Sequence, residues 1–219
     1  IVETEPSKIE TLDQEIKDTV IDQAIEAAKD QQENIDQGTN TEDEDLSDVV
    51  ADIVTKADAE TASKVLETLD EASKETDSKL SLSVVENLSK KENFEETIEI
   101  LSVTSSSADE NISNVIENAV DEAEDKKDID KVKNIVESSK GTISNKIIDS
   151  AKKNEENKQK ISEVIVDIVK ENPEKAVEII EKNENTQSVT ETIKTKIENE
   201  EAVTTKDFDE VFDTNISPN

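Results

Sequence analysis

The chain contains no cysteine, no histidine and no arginine. Without cysteine there is no disulfide framework, thiol nucleophile or cysteine-bound zinc. Without histidine the usual triads are excluded as well. Tryptophan, tyrosine and methionine are missing, and aromatics amount to 1% of the chain. Two glycines leave no material for a phosphate-cradling loop or a Gly-rich dinucleotide turn. No stretch of about 18 apolar residues is present, so no membrane-spanning helix is expected. Positive charge is also scarce, since 25 lysines face 57 Asp and Glu residues for a formal net charge of -32. Phosphate backbones and anionic lipid surfaces are both bound through clustered basic residues, so no nucleic acid partner is expected and an anionic membrane surface is disfavoured. A diffuse cloud of cations is expected instead.

Hydrophobic residues make up 32% of the sequence, close to the composition at which acidic chains stay disordered. Their periodicity argues for order. The segment at 46 to 54 and that at 161 to 169 match almost residue for residue: Leu46, Ser47, Asp48, Val49, Val50, Asp52, Ile53 and Val54 against Ile161, Ser162, Glu163, Val164, Ile165, Asp167, Ile168 and Val169. The apolar positions in each fall at i, i+3, i+4, i+7 and i+8, one stripe of an amphipathic helix. Related versions occur at 82 to 89 and 112 to 120. A second pattern, "DAETASKVL", "NFEETIEIL" and "DIDKVKNIV", begins at Asp58, Asn93 and Asp128, at a spacing of 35 residues. Asp58, Asn93, Asp128 and Asn172 are expected N-caps, with Pro173 at a first helical position. Glu60, Glu95, Asp130 and Glu174 then complement the helix dipoles.

The predicted fold is all-α: an α-solenoid of stacked helical hairpins with a period of about 31 to 35 residues, because one hairpin cannot cover both of its apolar stripes but stacked neighbours can. First helices are placed near 46 to 57, 79 to 91, 109 to 122, 142 to 154 and 173 to 183. Second helices are placed near 58 to 74, 93 to 104, 128 to 139, 158 to 171 and 187 to 199. On this division Ile161 falls in a second helix although it resembles the first helix at Leu46, and the repeat phase between 141 and 200 stays open. Residues 1 to 45 are expected to form an amphipathic capping helix, with Ile9, Leu12, Ile16, Val20, Ile21, Ala24 and Ile25 on one side. An acidic linker should then run from 31 to 45. Residues 46 to 199 form the repeats. Residues 200 to 219 form a C-terminal cap, in which Phe208 and Phe212 close the core.

The period approaches that of tetratricopeptide repeats, but their Trp, Gly, Tyr and Phe pattern is absent. The repeats between 46 and 199 resemble the acidic helical-hairpin regions of large bacterial surface or extracellular proteins. That resemblance implies a non-catalytic structural or interaction role outside the cell, with a cytoplasmic location as the alternative. A start at Ile1, with neither an initiator Met nor a signal peptide, suggests a processed chain or an excerpt. Lys, Asn, Ile and Glu suit an A/T-rich genome.

No catalytic, cofactor-binding or metal-binding residue is assigned, and no cofactor is expected. Carboxylate pairs can catalyse glycoside hydrolysis, but among 57 acids close pairs arise by chance. Ser150 and Lys153 match Ser-x-x-Lys without the companion motifs. Glu42, Asp43, Glu44 and Asp45 offer oxygen ligands for calcium, yet no EF-hand order accompanies them. Sequons at Asn87, Asn111 and Asn215 are expected by chance. The first reading is a structural, spacer or interaction module. The alternatives are a binding module for a basic protein or peptide and, lastly, a carboxylate-based enzyme. The partner is a protein or neighbouring copies of the same chain. Converging acids in a localised pocket would favour the binding module.

Overall fold

The computed structural model describes residues 9, 12–38, 45–74, 79–139, 141–181 and 187–212. Among these every regular element is a helix, as the 3.6-residue periodicity predicts. The chain divides into two compact units, Ile1–Glu124 and Asp125–Asn219. The division falls inside the span expected to hold the repeats.

The first unit contains α1 (Gln14–Asp36), α2 (Leu46–Lys56), α3 (Ala59–Ser73), α4 (Leu80–Ser89), α5 (Phe94–Thr104) and α6 (Ser106–Asp121). Helix α2 packs against α4 and α4 against α6, while α1 packs against α3 and α3 against α5 and α6. Helix α4 lies between these neighbours, and Leu80, Leu82, Val84 and Val85 are all buried. Its sequence "LSLSVV" has apolar or small residues on every side, so Ser81 and Ser83 are buried too. Polar ties lock α2 to α4 along the seam. Asn87 donates to Ser47 Oγ at 2.8 Å and to Asp45 at 3.1 Å, and Lys91 bridges Asp48 at 2.6 Å and Asp52 at 2.8 Å.

Capping explains most helix starts. Asp58 accepts from the Thr61 amide at 2.8 Å, and Asp45 accepts from that of Ser47 at 3.0 Å. Burial pushes the Asp45 carboxyl up, but bonds from Ser47 and Asn87 outweigh it and hold the group below its ordinary value. Two expected caps differ. Asn93 stands at the start of α5 without a side-chain cap, because its amide donates instead to the Thr55 carbonyl at 2.7 Å, at the end of α2.

The acidic linker also begins later than expected. Helix α1 continues through residues 31 to 36, where buried Gln32 accepts from Ser83 at 2.7 Å and donates to Asp36 at 3.0 Å. It ends at Gly38, whose φ of 75° is the left-handed conformation that stops a helix. Ile16 does not join the buried stripe. It is 49% exposed because the buried face of α1 starts a turn later, at Ile21.

The second unit contains α7 (Lys126–Ser138), α8 (Gly141–Ala151), α9 (Glu155–Glu171), α10 (Pro173–Glu181), α11 (Gln187–Glu198), a 3-10 turn (Thr205–Phe208) and α12 (Asp209–Phe212). Helix α7 is capped by Asp125, which accepts from the amides of Lys127 and Asp128. Asp128, expected as the cap, therefore sits in the first turn and is buried. Asn172 caps the Pro173 helix as expected, accepting from Lys175 at 3.2 Å. Helix α9 is the centre of this unit, packed by α7, α8, α10 and the 3-10 turn. The segment from Ile161 to Val169 therefore occupies the second helix of the α8–α9 pair, and Ile161, Val164, Ile165 and Ile168 are buried there. Phe208 and Phe212 are buried with ring centroids 6.4 Å apart, against α8, α9 and α11 through the short C-terminal helices.

Candidate functional site

In the first unit, α1, α3 and the junction of α5 with α6 enclose an open groove of about 620 Å3. Helix α3 supplies Glu60, Ser63, Lys64 and Glu67, spaced at i, i+3, i+4 and i+7 and so on one face. Its opposite face carries Val65, Leu66 and Leu69 into the core, which fixes the helix rotation and aims the polar face outward. Helix α1 contributes Gln14 and Asp18, one turn apart, with the Gln14 amide donating to Asp18 at 2.9 Å. Thr104, Ser105 and Ala108 close the groove, and Ser105 caps α6 by accepting from the Ala108 amide at 3.0 Å.

The groove therefore holds three carboxylates, Asp18, Glu60 and Glu67, around one ammonium. Lys64 bonds to Glu67 at 3.3 Å. Partial burial pushes the Lys64 ammonium toward neutrality, but the Glu67 bond and the fields of Glu67, Asp18 and Glu71 outweigh it and raise its pKa. The site stabilises a cation that belongs to the chain itself. Beside it in sequence stand exposed apolar residues: Ile16 between Gln14 and Asp18, and Val103, 80% exposed, next to Thr104.

The other sequence candidates do not converge on this groove. Ser150 is buried, with its hydroxyl facing Asn157 Nδ2 at 3.4 Å, whereas Lys153 is exposed. Asn87 is engaged between α4 and α2, and Asn111 lies within α6. Asn215 and residues 42 to 44 of the acidic run lie outside the described residues, and Asp45 serves as the cap of α2. Among the described residues no group of three or more acids is placed to hold a metal ion. No described helix is long and apolar enough to cross a membrane.

Sequence reasoning placed Glu60 only as a dipole partner and missed the groove, because its walls come from residues about 40 to 90 positions apart. It also missed two acids that sit at apolar-stripe positions, Asp70 beside Leu66 and Leu69, and Glu122 seven residues after Val115. An acid in register with an apolar stripe is the signal that would have found them. Comparison of the chain with protein families, with curated proteins and with solved structures found no match.

Proposed function

We propose that the chain is a non-catalytic structural module, a spacer or interaction segment of a larger bacterial surface or extracellular protein, built as an array of helical hairpins. The observation that carries this reading is the regular reach of the polar ties in the first unit. Ser47–Asn87, Asp48–Lys91, Thr55–Asn93, Asp70–Asn114, Asp70–Asn118 and Leu82–Glu122 each join residues 38 to 48 positions apart, and Gln32–Ser83 joins residues 51 apart. A single hairpin would tie residues closer in sequence, whereas successive hairpins laid side by side give separations a little above the repeat length. The extracellular placement rests on the resemblance of the repeats.

A spacer holds a fixed distance. The cysteine-free chain allows single-molecule energy transfer between dyes on cysteines introduced at exposed Glu26 and Glu99. One narrow distance distribution that is unchanged across moderate salt is expected, and a broad or shifting one would overturn the spacer reading.

The groove favours a second reading, a binding module for a basic peptide or protein, because it already accommodates an ammonium. Titration with a lysine-rich amphipathic peptide at physiological salt separates the two. Saturable binding that Glu60→Lys and Glu67→Lys abolish would establish the binding module, and weak, non-saturating attraction would leave the spacer.

A further inference from the structure

Glu122 follows the last residue of α6, and its carboxyl lies against the start of α4. The Leu82 amide donates to Oε2 at 3.3 Å, while Oε1 is buried without a hydrogen-bond partner. Beside the carboxyl stand Ser73 at the end of α3 and the Ser81 and Leu82 amides of α4, and the Ser73 and Ser81 hydroxyls bond to each other. Three helix ends thus meet on one carboxyl group.

We propose that this joint is a proton-controlled latch: with Glu122 neutral the ends of α3, α4 and α6 are closed together, and its ionisation releases the end of α6 from α4. A carboxylate needs donors on both oxygens, and Oε1 has none here, whereas a neutral carboxylic acid tolerates one buried unpaired oxygen at much smaller cost. Burial is the dominant influence and raises the Glu122 pKa to about 8; the Leu82 amide, the Ser73 hydroxyl and the Ser81 amide oppose it, and the charge of Asp121 adds to it. Among the described residues, the charged groups at the three helix ends are Asp70 and Glu71 on α3, Lys74 just after it, Lys79 preceding α4, Glu117 and Asp121 on α6, and Glu124 beyond it. Lys74 is engaged by Asp70 at 2.7 Å. The closed form therefore holds a proton that the open form releases, and opening grows with pH across the interval from 4.5 to about 8.

Hydrogen exchange of the amides of Leu82 to Val85 and of Asn118 to Ala123 in the full chain tests this, after correction for intrinsic exchange rates. The opening constant should rise about tenfold per pH unit between about pH 5 and pH 7.5 and level off above about pH 8, one proton being released on opening. In Glu122→Gln, which keeps the neutral shape, the constant should be independent of pH in that window. Equal pH dependence in both proteins would overturn the latch by assigning the effect to general charge repulsion. Should the variant not fold, a carbon-detected NMR titration of Glu122 in the native chain decides: a midpoint above about 7 accompanied by loss of protection supports the latch, and a midpoint below about 5, or a high midpoint without loss of protection, overturns it.

Discussion

Ile116 and Asp70 show how differently apolar and polar burial act in this chain. Ile116 is 3% exposed, on the stripe formed by Ile112, Val115 and Ala119. Shortening it to Ala should cost about 2 to 5 kcal/mol through lost transfer energy and the cavity left behind. Its neighbour Glu117 is half-buried and has interactions of its own, so exposed Glu99 on α5 is the better surface control. Glu99→Gln should change stability by less than about 0.5 kcal/mol. Denaturant midpoints of the two variants provide the check, and equal effects would show that the buried face of α6 is misplaced. Asp70 is buried with Lys74, Asn114 and Asn118 around its carboxylate, joining α3 to α6. Asp70→Ala leaves two amide groups without their acceptor and should cost about 1 to 3 kcal/mol. Asp70→Asn should cost less, because the shape and one acceptor remain.

At the level of helices, the caps separate local from long-range control. Asp58 caps α3, with its carboxyl held below the ordinary value chiefly by the Thr61 amide, so Asp58→Ala should destabilise by about 0.5 to 2 kcal/mol. Asn93 occupies the equivalent place in α5 but acts as a donor to Thr55. Exchange for aspartate, an equal or better cap, would set a carboxylate against a carbonyl oxygen. Thermal unfolding should show Asn93→Asp destabilised by about 1 to 3 kcal/mol, whereas a neutral result would return Asn93 to the role of a cap. The end of α11 carries strain of a different kind. Glu200 has a φ of 56°, with its amide donating to Ile197 and that of Glu201 donating to Lys196 at 2.8 Å, a helix stop built on a left-handed residue. Glycine occupies this conformation without a Cβ clash, so Glu200→Gly should raise stability by about 1 kcal/mol despite the added chain entropy. A lower melting temperature for this variant would refute the account.

For the molecule as a whole, a net charge of -32 makes self-repulsion the main electrostatic term. The melting temperature should rise on going from low to moderate salt, because screening relieves repulsion between exposed acids more than it weakens the short ion pairs. The response to pH has two limbs. Asp52 is pushed up by burial, but bonds from Lys56 and Lys91 leave it below its ordinary value, and Asp207 is held low against burial by Lys196 and Thr204. These groups contribute stability above their unfolded value of 3.8, and that contribution is lost as pH falls through their folded values. Glu122 has the opposite sign: its folded form keeps the proton longer, so stability is lost as pH rises from 4.5 to about 8. Chemical denaturation at low protein concentration should therefore show the midpoint falling from about pH 5 to about pH 8 and falling again below about pH 4. A midpoint that climbs steadily from acid to alkaline pH would contradict the assignment of Glu122.

The sequence alone determined the helices, because their causes are local: an apolar residue every third or fourth position, a capping oxygen such as that of Asp58, Pro173 at a helix start. The ten helices α2 to α11 stand where the periodicity placed them, within a few residues at each end. What the tertiary structure decided was which faces meet. Leu46 and Ile161 open nearly identical segments, yet Leu46 and Val49 are half-buried while the equivalent Ile161 and Val164 are buried, since burial depends on neighbours that the segment itself does not encode. Asn93 became a donor because the end of α2 offered a carbonyl, and Ile16 stayed exposed because the core begins a turn further along α1. Glu122 was drawn into a buried joint of helix ends by the packing of α6 on α4. Hydrogen bonds within a helix span four residues, whereas these outcomes rest on contacts some 40 residues apart, where a short pattern in the chain carries no information about its partner.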